Sequence, residues 1–366
     1  MKIKYLIKDV KTVLCVGCLV CGLIHGEYDV INASTLSGKN VNLEKKDIDY
    51  TIDFGANDNA VQNFYVDGSV LYTSQKYTYA DAGYVKISKF NIVNKAPQKC
   101  SEMWIKSAGH GQTLEVYKYN NKTYILFALK DYTDNVDKGN DMHWSTQIGR
   151  IEYSACPKSN AKDYTKFKRF TNLNYANKEK KGFGTVLRTD AALSSDGQTI
   201  LIWKKNTGNQ SEFTAYNLIK FNNYLDKANN GVSFENIRPS DLGIEFSFND
   251  KSGSIGLPSS IQSLELSNKS NGKYSIYIAS GNDGLKKDDN KPVKILRFNS
   301  AGEKKSEKNI VYKNVFSSPM EIEGLHIVGD KLEFMLVESE YSNGKKRNNV
   351  NKRYQYIVSA DKSYWS

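Results

Sequence analysis

The feature that most constrains this chain is a pattern that recurs five times: a polar-headed alternating run, a tight turn, a more continuously apolar run, and a later strand-like run. The first unit reads QNFYVDGSVLYTS from Gln62 to Ser74, followed by YVKISKFNI from Tyr84 to Ile92. The others begin at Gln112, Asp190, Gln262 and Glu323, and their third runs are TQIGRIEY, FTAYNLIKF, VKILRFN and RYQYIVS. Asp67-Gly68, Asn120-Asn121, Asp196-Gly197, Asn271-Gly272 and Gly329-Asp330 mark the turns, because Gly, Asn and Asp tolerate the positive φ of tight hairpins. Long apolar runs of period 3.6 are missing, so the chain is predicted to be all-β. A unit this small buries its apolar face only against a neighbour, and radial repetition of small sheets is the propeller solution. The prediction is a five-bladed β-propeller, with a β-sandwich as the alternative. The heads lie about 50, 78, 72 and 61 residues apart, so long loops must interrupt the units.

Lys2, Lys4, Lys8 and Lys11 precede the apolar run Val13–Ile24, and polar sequence follows. That is the pattern of a signal peptide, with cleavage expected between about residues 26 and 33. The run is also short of the roughly 20 residues that span a membrane. Residues 34–366 are then expected to form a single secreted domain, since no linker or composition shift divides them. Cleavage removes Cys15, Cys18 and Cys21 and leaves Cys100 and Cys156, which in an oxidising compartment are candidates for one disulfide. Its loop of about 56 residues would add about 4 kcal/mol in the chain-entropy view. Two free thiols are the alternative.

The formal charge is +11, and about +8 once the leader lysines and Asp9 are gone. A basic exported protein is drawn to anionic surfaces, so the expected partner is a bacterial envelope, through an anionic polymer, a glycan or a membrane surface. Nucleic acid is not expected, for want of a recognition motif.

Three segments carry a further signal: Gly109-His110-Gly111-Gln112-Thr113-Leu114-Glu115, Ile261-Gln262-Ser263-Leu264-Glu265 and Glu321-Ile322-Glu323-Gly324-Leu325. They resemble the helveticin J family of large, class III bacteriocins, and the resemblance runs from about Ile52 to the end. It implies a secreted antibacterial protein that kills related bacteria, with no agreed catalytic residues to carry over. A glycan-binding adhesion module is the alternative function, and a cell-wall hydrolase the third.

No enzyme site announces itself, and the chain is expected not to be an enzyme. Beyond the leader it has His110, His143 and His326, without the close ligand spacing of a zinc hydrolase; Asp141 and His143 are the nearest approach to a metal pair, and neither metal nor cofactor is expected. Asp190, Glu115, Glu265, Glu321 and Glu323 offer carboxylates for glycosidase chemistry, but no spacing singles out a pair. The Asp/Lys segment at residues 281–291 lacks the ligand alternation of a calcium loop and reads as a surface hairpin loop. The repeat heads Gln62, Gln112, Asp190, Gln262 and Glu323 are the better constellation. In a propeller they converge on the axis as a polar ring able to hold a sugar, water or a cation, with His110 and Asp190 near its rim. The plainer role for these heads is to cap strand starts and satisfy nearby backbone. Trp203 is expected in the core, whereas Trp144, in a polar insert, is the candidate for surface stacking on a ligand.

Overall fold

The computed structural model of the chain describes residues 39–55, 58–79, 82–131, 143–250, 253–258, 260–282, 291–342, 345–348 and 350–366. The expected leader, Asp141 and most of the 281–291 loop lie outside them. Each repeat head lies in, or within two residues before, the innermost strand of a four-stranded antiparallel blade: Gln62, Asp190 and Glu323 fall inside theirs, and Gln112 and Gln262 just ahead. The innermost strands are Val61–Asp67, Leu114–Tyr119, Val186–Leu193, Ser263–Leu266 and Met320–Val328. They pack against one another in that order, the fifth against the first, so the ring is closed. This is a five-bladed β-propeller, and closure excludes the sandwich.

The core follows from that arrangement. Apolar side chains collect in five clusters, one between each pair of neighbouring blades. Ile52, Val61, Phe64, Leu71, Met335 and Ile357, for example, join the fifth blade to the first. The second strand of each blade is covered on both faces, which explains its continuous apolar run: Thr199–Asn206 is buried at seven of eight positions. Trp203 lies in the core between the third and fourth blades.

The turns form where the sequence placed them. Asn120 and Asn121 have φ of 48° and 60°, and Gly68, Gly197, Gly272 and Gly329 also have positive φ. The repeat was nonetheless incomplete as read, since every blade has a fourth strand. These are Ala96–Lys106, Lys168–Thr171, Ile244–Asp250, Lys304–Val311 and Ile48–Asp53. Outer strands face solvent over much of their length, as in KKSEKNIV at Lys304–Val311, so they show little alternation. Ile48–Asp53 comes from the start of the ring and pairs with Tyr354–Asp361 at its end.

One reading of a strand is corrected. The segment FTAYNLIKF does not stay extended to Phe221: the strand Ser211–Asn217 gives way to a helix, Leu218–Lys227. Asn217 caps that helix by accepting from the Lys220 amide, and Leu218, Phe221, Asn222 and Leu225 form its buried stripe. The strand-like residues before Asn217 had masked this short 3.6-residue period. Among the described residues no helix is long and apolar enough to cross a membrane.

Candidate functional site

The inner strands align residue by residue: Gln62–Tyr65, Gln112–Glu115, Asp190–Leu193, Gln262–Glu265 and Glu323–His326. Local irregularities shift the register between Val61 and Asn63 and between Glu323 and Leu325. At the second of these Gly324 has φ of 72°, and a Cβ there would lie 2.8 Å from both Asn63 Oδ1 and Phe64 Cδ1. Only glycine permits this approach of the fifth blade to the first. The alignment yields two layers of side chains, formed by the first and the fourth residue of each segment and separated by about 10 Å of strand.

The first layer contains the predicted heads, and all five are buried. Arg188, which sequence reasoning missed, is its hub. Its guanidinium donates to Gln112 Oε1 and to the Ile261 carbonyl, the latter at 2.5 Å. Gln112 Nε2 lies 3.5 Å from Gln262 Oε1, and Gln262 Nε2 donates to Glu321 Oε1 at 2.7 Å. Asp190 accepts from the Thr113 hydroxyl and the Ala191 amide. Burial pushes the Asp190 carboxyl up to about 6 despite the opposing charge of Arg188. Burial brings Arg188 down to about 10, and it drives Glu323 well above the usual carboxylate range. Gln62 stands apart, its amide 3.5 Å from the Ala60 carbonyl. Asp190 Oδ2, Gln62 Oε1 and Glu323 Oε2 have no hydrogen-bond partner among the described residues.

Trp144 is half-buried above this layer. Its ring lies 3.9 Å from the Arg188 guanidinium carbon and 4.4 Å from the His110 ring. Trp203 lies on Arg188 as well, at 5.0 Å, so two indoles hold the guanidinium. Trp144 therefore has a partner inside the protein, which its polar sequence surroundings did not reveal.

The second layer is Tyr65, Glu115, Leu193, Glu265 and His326. It forms the floor of a cavity of about 660 Å³ whose walls include Asp67, Tyr119, Asp196, Gln198 and Asn222. Glu115, Glu265 and His326 are buried, and one ligand atom of each lies within 4.8 Å of the others. His326 Nδ1 is 3.5 Å from Glu265 Oε1, which also accepts from the Ile327 amide at 3.3 Å. The Tyr65 ring packs on His326 at 4.4 Å. Burial drives both carboxyls well above their usual range, and the charge of Glu265 raises Glu115 further. Burial lowers the imidazole, against the pull of Glu115 and Glu333. The sequence offered Glu115 and Glu265 only among five interchangeable carboxylates and His326 only as one of three histidines. The repeat alignment, carried three residues past each head, holds the signal that groups them.

One other expectation changes. Cys100 and Cys156 are free thiols, so the disulfide is not formed. Cys156 bridges to Met103, three residues along the strand from Cys100, a separation of about 10 Å that exceeds disulfide reach. Of the Asp141–His143 pair only His143 is described, and its Nδ1 lies 3.0 Å from Asp131 Oδ2, outside the axial layers.

A profile of the family described as bacteriocin helveticin-J matches residues 37–359. No curated protein matches the chain. Solved structures with a similar fold include an exo-β-1,3-galactanase from Phanerochaete chrysosporium, 11% identical, with a TM-score of 0.44 over 85% of this chain and 62% of that one. A GH32 β-fructofuranosidase from Bombyx mori is 8% identical, with a TM-score of 0.43 over 82% of this chain and 59% of that one. The GH62 α-L-arabinofuranosidase catalytic domain from Coprinopsis cinerea is 11% identical, with a TM-score of 0.39 over 87% of this chain and 92% of that one. The chain thus spans about three fifths of the first two. The expectation of a non-enzyme is corrected on this point: these similar structures are glycoside hydrolases, and paired carboxyls here line an axial cavity. Likeness at this level assigns no activity.

Proposed function

The chain belongs to the bacteriocin helveticin-J family, and from that premise we propose that it is a secreted antibacterial protein that grips a saccharide polymer of the target envelope in its axial cavity. The observation that carries this reading is the composition of the cavity. The Tyr65 and Tyr119 rings offer apolar faces, while the exposed Asp67, Asp196 and Gln198 offer hydrogen-bonding groups at the same opening. Sugar rings need that combination, because each has apolar C–H faces and an equatorial rim of hydroxyls. The formal charge, +11 for the whole chain and about +8 once the leader lysines and Asp9 are gone, adds a long-range attraction toward anionic envelope polymers.

A second reading is cleavage of the bound glycan, favoured by Glu115 and Glu265, whose raised carboxyls place an acid at the cavity floor. One assay addresses both. Purified protein is added to related indicator bacteria while survivors, turbidity and released wall fragments are followed, and its binding to isolated cell walls is measured alongside. The proposal expects killing, together with wall binding that falls about tenfold or more in Tyr65→Ala, a loss of one stacking partner. Released fragments from isolated walls select cleavage. Wall binding unchanged by Tyr65→Ala removes the cavity from the account.

A further inference from the structure

We propose that Glu115, Glu265 and His326 form a site for a divalent cation of the zinc or manganese kind at the floor of the axial cavity. The three residues come from the second, fourth and fifth blades, so their convergence is a product of ring closure and not of local chain geometry. One ligand atom of each lies within 4.8 Å of the other two, and the residues are 4%, 1% and 7% exposed. Two buried carboxyls turned toward one point repel each other once ionised, and burial without compensation is costly for each. A cation at their meeting point removes both penalties. Glu265 adds an independent sign, because its Oε2 is buried and has no hydrogen-bond partner among the described residues.

The donor set narrows the ion. An imidazole nitrogen favours zinc and its transition-metal neighbours over magnesium or calcium, while the two carboxylates also suit manganese and are poor ligands for a soft cuprous ion. The imidazole also has an outer partner, since it donates to the backbone of Val66. Metal-bound histidines are commonly oriented by such a bond to a carbonyl. The ligands rise from the floor, and the cavity of about 660 Å³ above them supplies an entry path and room for a water or ligand oxygen to complete the coordination. The inference stands whether or not the cavity accepts a saccharide.

The test uses purified protein stripped with a chelator and dialysed, then titrated calorimetrically with Zn²⁺ and, separately, with Mn²⁺. The expected result is one ion per chain, with affinity falling by about tenfold or more in Glu265→Gln, which preserves the side-chain volume. Melting of that variant in chelator reports whether it is folded. A second readout needs no variant: pulsed electron paramagnetic resonance of the Mn²⁺ complex should show coupling to an imidazole nitrogen. Failure to bind either ion at millimolar concentration overturns the proposal, as does binding without nitrogen coupling or binding that a folded Glu265→Gln variant retains in full.

Discussion

Asp190 shows how one residue serves as both structural and electrostatic element. Its Oδ1 holds the Thr113 hydroxyl and the Ala191 amide, tying the third blade to the second, while Oδ2 has no partner among the described residues. The folded value of about 6 lies above the ordinary 3.8. Between those pH values the folded chain keeps a proton that the unfolded chain has released, so this group lowers stability as pH rises from about 4 to 6. Across that window the contribution is about 3 kcal/mol. Asparagine retains an acceptor at Oδ1 and does not titrate. Asp190→Asn is therefore expected to lack this decline, and thermal melts at pH 4, 5 and 6 should show the wild type falling relative to the variant by roughly 5 °C. Parallel curves would assign the pH response to other carboxyls. The identity of Asp190 as a repeat head was legible in the sequence. Its neighbour Arg188 was not, because nothing local distinguishes a buried guanidinium between two indoles from an ordinary strand arginine.

At the scale of the strand, the register irregularities matter most. Gly324 allows the fifth inner strand to pass close to Asn63 and Phe64, with a φ that other residues adopt at a cost of about 1–3 kcal/mol. Gly197 has a similar φ of 64°, but nothing lies within 4 Å of the Cβ it would carry. Gly324→Ala is thus expected to lower the urea midpoint clearly more than Gly197→Ala, since it adds a steric conflict between blades to the backbone cost. Equal shifts would mean that the contact is easily relaxed. Hairpins were legible from their turn residues because positive φ is a local demand. Fourth strands were not, since edge positions are half-solvated and their partner is chosen by the sheet. The helix Leu218–Lys227 was hidden for a related reason: ten residues at the end of a strand carry too short a period to stand out.

For the whole ring, stability depends on where it closes. Ile48–Asp53 forms the outer strand of the fifth blade, and Ile52 is fully buried between that blade and the first. Removing its side chain leaves a cavity at the closure, so Ile52→Ala should cost about 2–5 kcal/mol, whereas Val93→Ala, at an exposed position, should cost little. Guanidinium unfolding curves decide the matter: a shift of the single transition supports cooperative closure, and an unchanged midpoint means that the ring holds without this strand. The same closure brings Glu115, Glu265 and His326 together from three blades, although at least 61 residues separate any two of them in sequence.

The sequence by itself determined the blade count, the hairpin turns, the polar heads and the family, because repeats, turn chemistry and short motifs are written locally. Tertiary structure alone decided which head residues meet, how Arg188 is held, that Cys100 and Cys156 stay apart, and that two carboxyls and an imidazole share one floor. The physical reason is the same in each case: a ring converts residues far apart in the chain into neighbours, and the distances it creates depend on packing between blades.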